Sequence, residues 1–458
     1  MQAEIQTHYQ VISKLIFIFS GIFLAISSFG QDVRIAVFQA DVTPPIGSPV
    51  AYAPTRSIAD SLSARGIIIF SGEKPVIICA VDWIGISNEG QDVWKAALAK
   101  AGSTTPDRVS VHALHQHDGV KCDFTVEKIL KEYGLDRNLF DHAFQNRAIE
   151  NVAAAVKKAA ANPKPVTHMG FGEAMVEKVG SNRRILGKDG KVATVRWSSA
   201  RDSVSINAPE GLIDPWLKSV SFWNKNEPLA VLNYYATHPQ SHYGKGDVTC
   251  EFVGIARNER QKKSNIPHVY FTGAAGNVAA GKYNNGADTT RYILAKRMEL
   301  GMEKAWKDTK KRPIQGTDIL WRNEQVALPI GKDLTEERLR KMLSDPKISV
   351  PEKNGVAESL AWVIRTREGF TANVSALKLG DVWLLNLPGE TFVEYQLAAQ
   401  QMRKNDKVCT AAYEEYGAGY IGTRIAYAQG GYETTGLSSG VSPEAEAILL
   451  AAIKHVLR

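Results

Sequence analysis

The chain of 458 residues is 44% hydrophobic and 22% charged, the composition of a folded globular protein, which excludes disordered, collagen-like and coiled-coil classes. Its 55 Lys and Arg against 48 Asp and Glu leave a formal charge of +7, too mild for a nucleic-acid-binding surface. Four cysteines, Cys79, Cys122, Cys250 and Cys409, stand far apart with no CxxC pair, which argues against a disulfide scaffold and a zinc–thiolate site.

The first 30 residues read as a secretory signal peptide. Lys14 precedes an apolar run at 15–26, followed by Ser27, Ser28, Phe29 and Gly30, which places cleavage near Gly30 and Gln31 and the product outside the cell or in a periplasm. Retention as an anchor is the alternative, but about 12 apolar residues cover only about 18 Å of helix, short of a bilayer core. No cysteine follows the run to carry a lipid.

Residues 31–458 are expected to form one catalytic domain. Short β-rich runs occur at 33–39, 66–70, 76–81, 109–113, 220–223, 229–235, 268–272, 374–379 and 382–387, with a Pro-rich turn at 41–49. Cys79 lies inside one of them and reads as a small buried hydrophobe. Helical patterns fall at 138–161, 252–263, 289–307 and 390–404, and a last helix is expected with Ser442 as N-cap, Pro443 in its first turn and its end at Leu457. The basic clusters at 257–263 and 304–312 read as solvated helix faces, and the polar stretches 188–209 and 332–353 as excursions from the main unit. Strands and helices mixed over this length predict an α/β or α+β fold, a mixed β-sheet core covered by helices.

Two pattern matches carry little weight. The GxGxxG match at 417–422 lacks the βαβ units that should follow it, and the GxSxG match at 436–440 is followed by a single His, inside the last helix. A stronger pattern is three apolar strands that each run directly into metal-binding residue types. The first ends in His115, Gln116, His117 and Asp118, the second in His238, and the third in Glu390 at the start of a helix. Two imidazoles and one carboxylate leave a coordination position open and suit catalytic zinc. The competing reading makes each histidine a hydrogen-bonded structural residue and gives Glu390 to the positive end of its helix.

The order of several short segments resembles the catalytic domain of the neutral/alkaline non-lysosomal ceramidases, secreted zinc amidohydrolases that split N-acyl sphingosines. They are AVFQADVTPPIG at 36–47, His115-Gln116-His117, SNRR at 181–184, THPQS after the second strand, FTGAAGN at 271–277, LPGE at 387–390 and the Tyr-rich stretch 420–432. The resemblance implies Zn2+ held by His115, His238, Glu390 and Tyr420, with His117 as proton shuttle and Arg183 and Tyr432 holding the substrate carbonyl. Tyr413, Tyr416 and Tyr427 compete for the two tyrosine roles.

The chain departs from the family pattern at several points. Asp118-Gly119-Val120 stands where Ser-Gly-Pro usually follows the HxH segment, and Cys250-Glu251-Phe252 where an Asp usually opens the next helix. The interval from His238 to Glu390 is short, and the C-terminal immunoglobulin-like domain of larger family members is expected to be absent. The expected partner is therefore a lipid N-acyl substrate or another small amide, with peripheral contact to a membrane surface and no nucleic acid. The alternatives are a carbohydrate-derived substrate and a binding protein without catalysis.

Overall fold

The computed structural model describes residues 32–135 and 140–458, so the expected signal segment lies outside the described residues. Three larger sheets share one design. In the first, the strands Arg34–Asp41, Ser63–Phe70 and Val76–Val81 pair antiparallel, and Val109–Ala113 then adds in parallel. In the second, His168–Met175, Trp216–Asn224 and Glu227–Tyr235 pair antiparallel, and His268–Thr272 joins in parallel. The third runs Ile319–Val326, Ala372–Leu379 and Val382–Asn386 antiparallel, with Lys407–Ala411 in parallel. A parallel pair needs a crossover, and each has a helix in it: Glu89–Ala101, Glu251–Ser264 and Val393–Met402. The sheets meet near these pairs, where the Ala113 amide donates to the Tyr413 carbonyl at 3.2 Å and the Thr272 hydroxyl to the Leu114 carbonyl at 2.8 Å.

The expected α/β class with a mixed sheet core is the one observed. Strands buried on both faces explain the continuous apolar runs that marked them in the sequence. Along Ser63–Phe70 the side chains alternate between two cores: Ile67 and Ile69 enter the one between the sheets, while Ile68 enters the one under Glu89–Ala101 and His142–Ala160. Gly66 in that strand is required by packing, because a Cβ there would stand 2.2 Å from the Ile78 carbonyl oxygen and 2.4 Å from the Phe38 ring. Cys79 is buried as expected, and all four cysteines are free. Among the described residues, no helix is long and apolar enough to cross a membrane.

Several expectations are corrected. The helix expected from 390 begins at Val393, because Glu390–Thr391 is extended and pairs in parallel with Tyr420–Ile421. The last helix spans Ala445–Val456, and Ser442 lies outside it with its hydroxyl on Glu444. The stretch 332–353 contributes Glu336–Ser344 and the start of Val350–Arg367, whose Val356, Leu360 and Trp362 are buried. The stretch 188–209 supplies the second strand of the hairpin Arg184–Leu186 with Val192–Val195 and the short helix Ser203–Asn207. Among the basic residues of the cluster at 257–263 only the lysines are solvated. Arg257 is buried against Asp82 at 2.6 and 2.9 Å, and Arg260 against Glu299 at 3.4 Å. Burial would raise the Asp82 carboxyl, but the Arg257 charge outweighs it and holds the group below its usual range.

Candidate active site

The three sheets place His115, His238 and Glu390 by one rule: each follows the carboxyl end of a strand in a parallel pair, where ligand crevices form in such sheets. His115 leaves Val109–Ala113 with a φ of 65°, a left-handed conformation held by its amide on the Trp83 carbonyl at 2.9 Å. His238 follows Glu227–Tyr235, and its amide donates to the Val278 carbonyl at 2.9 Å. Glu390 follows Val382–Asn386, with its amide on the Gly419 carbonyl at 2.8 Å.

Tautomers follow from these partners. His115 Nδ1 lies 2.7 Å from the Ile84 carbonyl and His238 Nδ1 lies 2.6 Å from the Ala275 carbonyl. A carbonyl only accepts, so both Nδ1 atoms carry the proton, and in the neutral rings both Nε2 atoms present lone pairs. These two Nε2 atoms stand 3.3 and 2.9 Å from the same oxygen, Glu390 Oε2, and all the groups are buried. Three acceptors converging on one dry point repel one another unless a cation or a shared proton lies among them, and a divalent metal ion satisfies all three. One ring nitrogen from each of His115, His117 and His238 lies within 4.8 Å of the other two, a buried cluster able to hold a metal ion.

His117 is arranged differently. Its Nδ1 faces the Tyr52 hydroxyl at 2.8 Å and the Gln240 amide nitrogen at 3.2 Å. Because the amide nitrogen donates, Nδ1 accepts, and the ring proton is left on Nε2, which is buried without a partner. Burial beside His115 and His238 holds the His117 imidazolium well below its usual range, so this ring is neutral. Burial alone would raise the Glu390 carboxyl. A positive charge shared with His115 and His238 outweighs it and holds the carboxyl well below its usual range.

The other oxygen of Glu390, Oε1, accepts the Tyr416 hydroxyl at 2.8 Å. The Tyr420 ring stacks 6.2 Å from His238, and its hydroxyl accepts from Arg183 Nη1 at 2.9 Å. Arg183 is buried, with its guanidinium carbon 5.7 Å from the Tyr420 and Tyr432 ring centres and 5.8 Å from Trp197, and with Nε 3.4 Å from Glu433. Tyr432 is partly exposed and meets Tyr420 edge to face at 5.8 Å. All seven residues singled out in the sequence thus stand in one neighbourhood. The Tyr420 hydroxyl is engaged by Arg183, and the phenol on Glu390 is that of Tyr416.

Tyr52, Gln240, Trp197 and Glu433 were not assigned roles from the sequence, and Tyr416 entered only as a competitor for the tyrosine roles. Gln240 and Tyr416 fall inside or beside segments already noted, whereas nothing local marks Tyr52 or Trp197. The two departures Asp118 and Glu251 prove to be coupled in space, because Arg291 Nη2 lies 3.5 Å from one and 3.3 Å from the other. Asp118 also accepts the Gly244 amide at 2.9 Å and Glu251 the Ser241 amide at 2.8 Å. Together they brace the loop that carries Gln240 toward His117.

No family model matches the chain, and no curated protein matches it. Among solved structures it is similar to a neutral ceramidase from Pseudomonas aeruginosa, at 17% identity and a TM-score of 0.67 over 93% of this chain and 74% of that one. A ceramidase complexed with "C2" matches at 16% identity and a TM-score of 0.67, covering 93% and 75%. The chain therefore has a neutral-ceramidase-like fold.

Proposed function

We propose that the chain is a zinc-dependent amide-bond hydrolase of the ceramidase type, exported by way of residues 1–30. The observation that carries this reading is the convergence of His115 Nε2, His238 Nε2 and Glu390 Oε2 on one buried point. A mixed nitrogen and oxygen donor set suits zinc. His115, His238 and Glu390 would hold it, with Tyr420 as the fourth donor. Bound there, zinc supplies Lewis acidity, which lowers the pKa of water toward about 7 and polarises a carbonyl.

The remaining work belongs to the chain. Hydrolysis adds water to the amide carbon, breaks the C–N bond and leaves a carboxylate and an amine. Charge develops on the carbonyl oxygen, and Arg183 with Tyr432 supplies fixed donors beside the centre, Arg183 being held by Tyr420 and Glu433. The leaving nitrogen needs a proton, and His117 carries one on Nε2, held in that tautomer by Gln240. The test is elemental analysis of protein purified without chelator, together with amine release from N-acyl substrates. About one zinc per chain, lost together with hydrolysis in a His115→Ala and His238→Ala double variant, is expected. Zinc-free active protein would remove the centre from the mechanism.

A further inference from the structure

The cleft at the centre encloses about 420 Å3, and Glu390, Tyr416, Tyr420 and Tyr432 belong to both. Pockets of that size are ordinarily lined by apolar side chains with a few polar groups. Here polar side chains outnumber apolar ones. Beyond the centre the wall is Ser87, Asn88, Lys121, Asp123, Glu358 and Ser359, whereas apolar side chains come only from Pro351, Ala418 and Leu437.

These polar groups are organised. Asp123 Oδ2 accepts from Ser87 at 2.8 Å and from Asn88 Nδ2 at 2.6 Å, and Lys121 pairs with Glu358 across the wall. Asn88 Oδ1 is buried and has no partner within the chain. An alkyl chain gains about 0.8 kcal/mol per methylene when its surroundings are apolar. Against this wall it would strip water from charged groups and return no hydrogen bond. Two carboxylates more exposed than that of Asp123, those of Glu352 and Glu358, share the wall with one lysine, so a carboxylate-bearing ligand is repelled as well.

Tyr432 extends the cleft to Trp197. The two rings meet edge to face at 5.3 Å, with Trp197 52% exposed and backed by Arg183. An exposed aromatic face beside polar side chains fits the C–H face of a sugar ring.

We infer that the substrate is an N-acylated amino sugar, whose neutral hydroxylated ring occupies the polar cleft while its amide lies at the centre. This rests on the amide-hydrolase reading. Water adds across the amide: the acyl carbon takes the oxygen and leaves as a carboxylate, and the sugar nitrogen takes the proton and leaves as the amine. No redox partner is required.

The test compares amine release by the zinc-loaded enzyme from N,N′-diacetylchitobiose, from N-acetylsphingosine in mixed micelles and from an N-acetyl amino acid. The sugar is expected to exceed the other two in kcat/KM by at least about 100-fold, the range in which hydroxyl-binding sites discriminate. A Lys121→Met and Glu358→Leu double variant removes both halves of the wall ion pair. It should lower kcat/KM on the sugar by about tenfold and raise it on N-acetylsphingosine, with zinc content unchanged. Preference for N-acetylsphingosine in the unaltered enzyme, or the same substrate ratio in the variant, overturns the inference and leaves the hydrolase reading intact. If zinc-loaded protein releases no amine from any arm, the hydrolase reading fails. Calorimetric titration with diacetylchitobiose then decides the cleft by itself: saturable binding weakened in the double variant supports a sugar site, and no binding removes it.

Discussion

Tyr416→Phe removes one oxygen from the site and little else. The hydroxyl donates to Glu390 Oε1 at 2.8 Å, while the ring packs 5.2 Å from His115 and against Gly85, where an added Cβ would stand 2.9 Å away. Phenylalanine keeps that packing, so the change isolates the hydrogen bond. A hydrogen bond to a charged group contributes about 1.5–3 kcal/mol. At about 1.4 kcal/mol per factor of ten, that is roughly 10- to 150-fold in zinc affinity, which agrees with the 10–100-fold typical of groups that orient a metal ligand. Competition of the purified variant against a chromophoric chelator measures the affinity directly, and circular dichroism checks the fold. A weakening of about 10–100-fold at unchanged fold is expected. Unchanged affinity would show that Glu390 is oriented without Tyr416. Complete loss of zinc, as in a variant lacking a histidine ligand, would make Tyr416 a ligand itself and displace Tyr420 from that role.

Three further outcomes are expected. His117→Ala should retain zinc while turnover falls by about 10²- to 10⁴-fold, the usual contribution of a general acid or base; loss of zinc on elemental analysis would place His117 among the ligands. Tyr432→Phe should cost about 2.7–4 kcal/mol of transition-state stabilisation, measured as kcat/KM, and Arg183→Lys should also be impaired because it loses the planar fork; a fully active Tyr432→Phe enzyme would remove that hydroxyl from catalysis. Burial raises the Glu415 carboxyl from 4.5 to about 8, with the Asn88 and Gly417 amides both donating to Oε1 at 2.9 Å. The folded state therefore holds this proton more tightly than the unfolded state. Stability from this group is greatest below pH 4.5 and falls until about pH 8, at up to about 1.36 kcal/mol per pH unit. Glu415→Gln keeps the acceptor oxygen, so urea unfolding across that range should show a shallower decline, and an identical slope would mean that Glu415 does not titrate there.

Much of the fold was legible in the sequence for a local reason. A strand buried on both faces must be apolar at nearly every position, and Val76–Val81, Val109–Ala113 and His268–Thr272 carry the bounds expected of them. The strand His168–Met175 escaped because it carries Gly170 and Gly172. A Cβ on Gly172 would lie 2.0 Å from the Ala305 carbonyl oxygen, so a glycine that looks like a strand breaker is demanded by the helix Asp288–Lys307 across it. The helix Val350–Arg367 opens polar and is buried on several sides, so no amphipathic stripe announced it.

By itself the sequence determined that three apolar strands end in His115 and His117, in His238 and in Glu390, because the change from apolar to polar is written within a few residues. It also carried the shared segment order behind the ceramidase resemblance, now matched by the fold. Only the tertiary structure decided the rest. That Glu390 Oε2 faces two imidazole lone pairs depends on how three sheets meet, that Glu390 is extended depends on a strand partner 30 residues away, and that Tyr416 reaches Glu390 while Tyr420 reaches Arg183 depends on backbone turns between them. The polar character of the cleft was hidden for the same reason. Its wall is assembled from positions near 88, 121, 358 and 438, whose side chains become neighbours only through long-range packing.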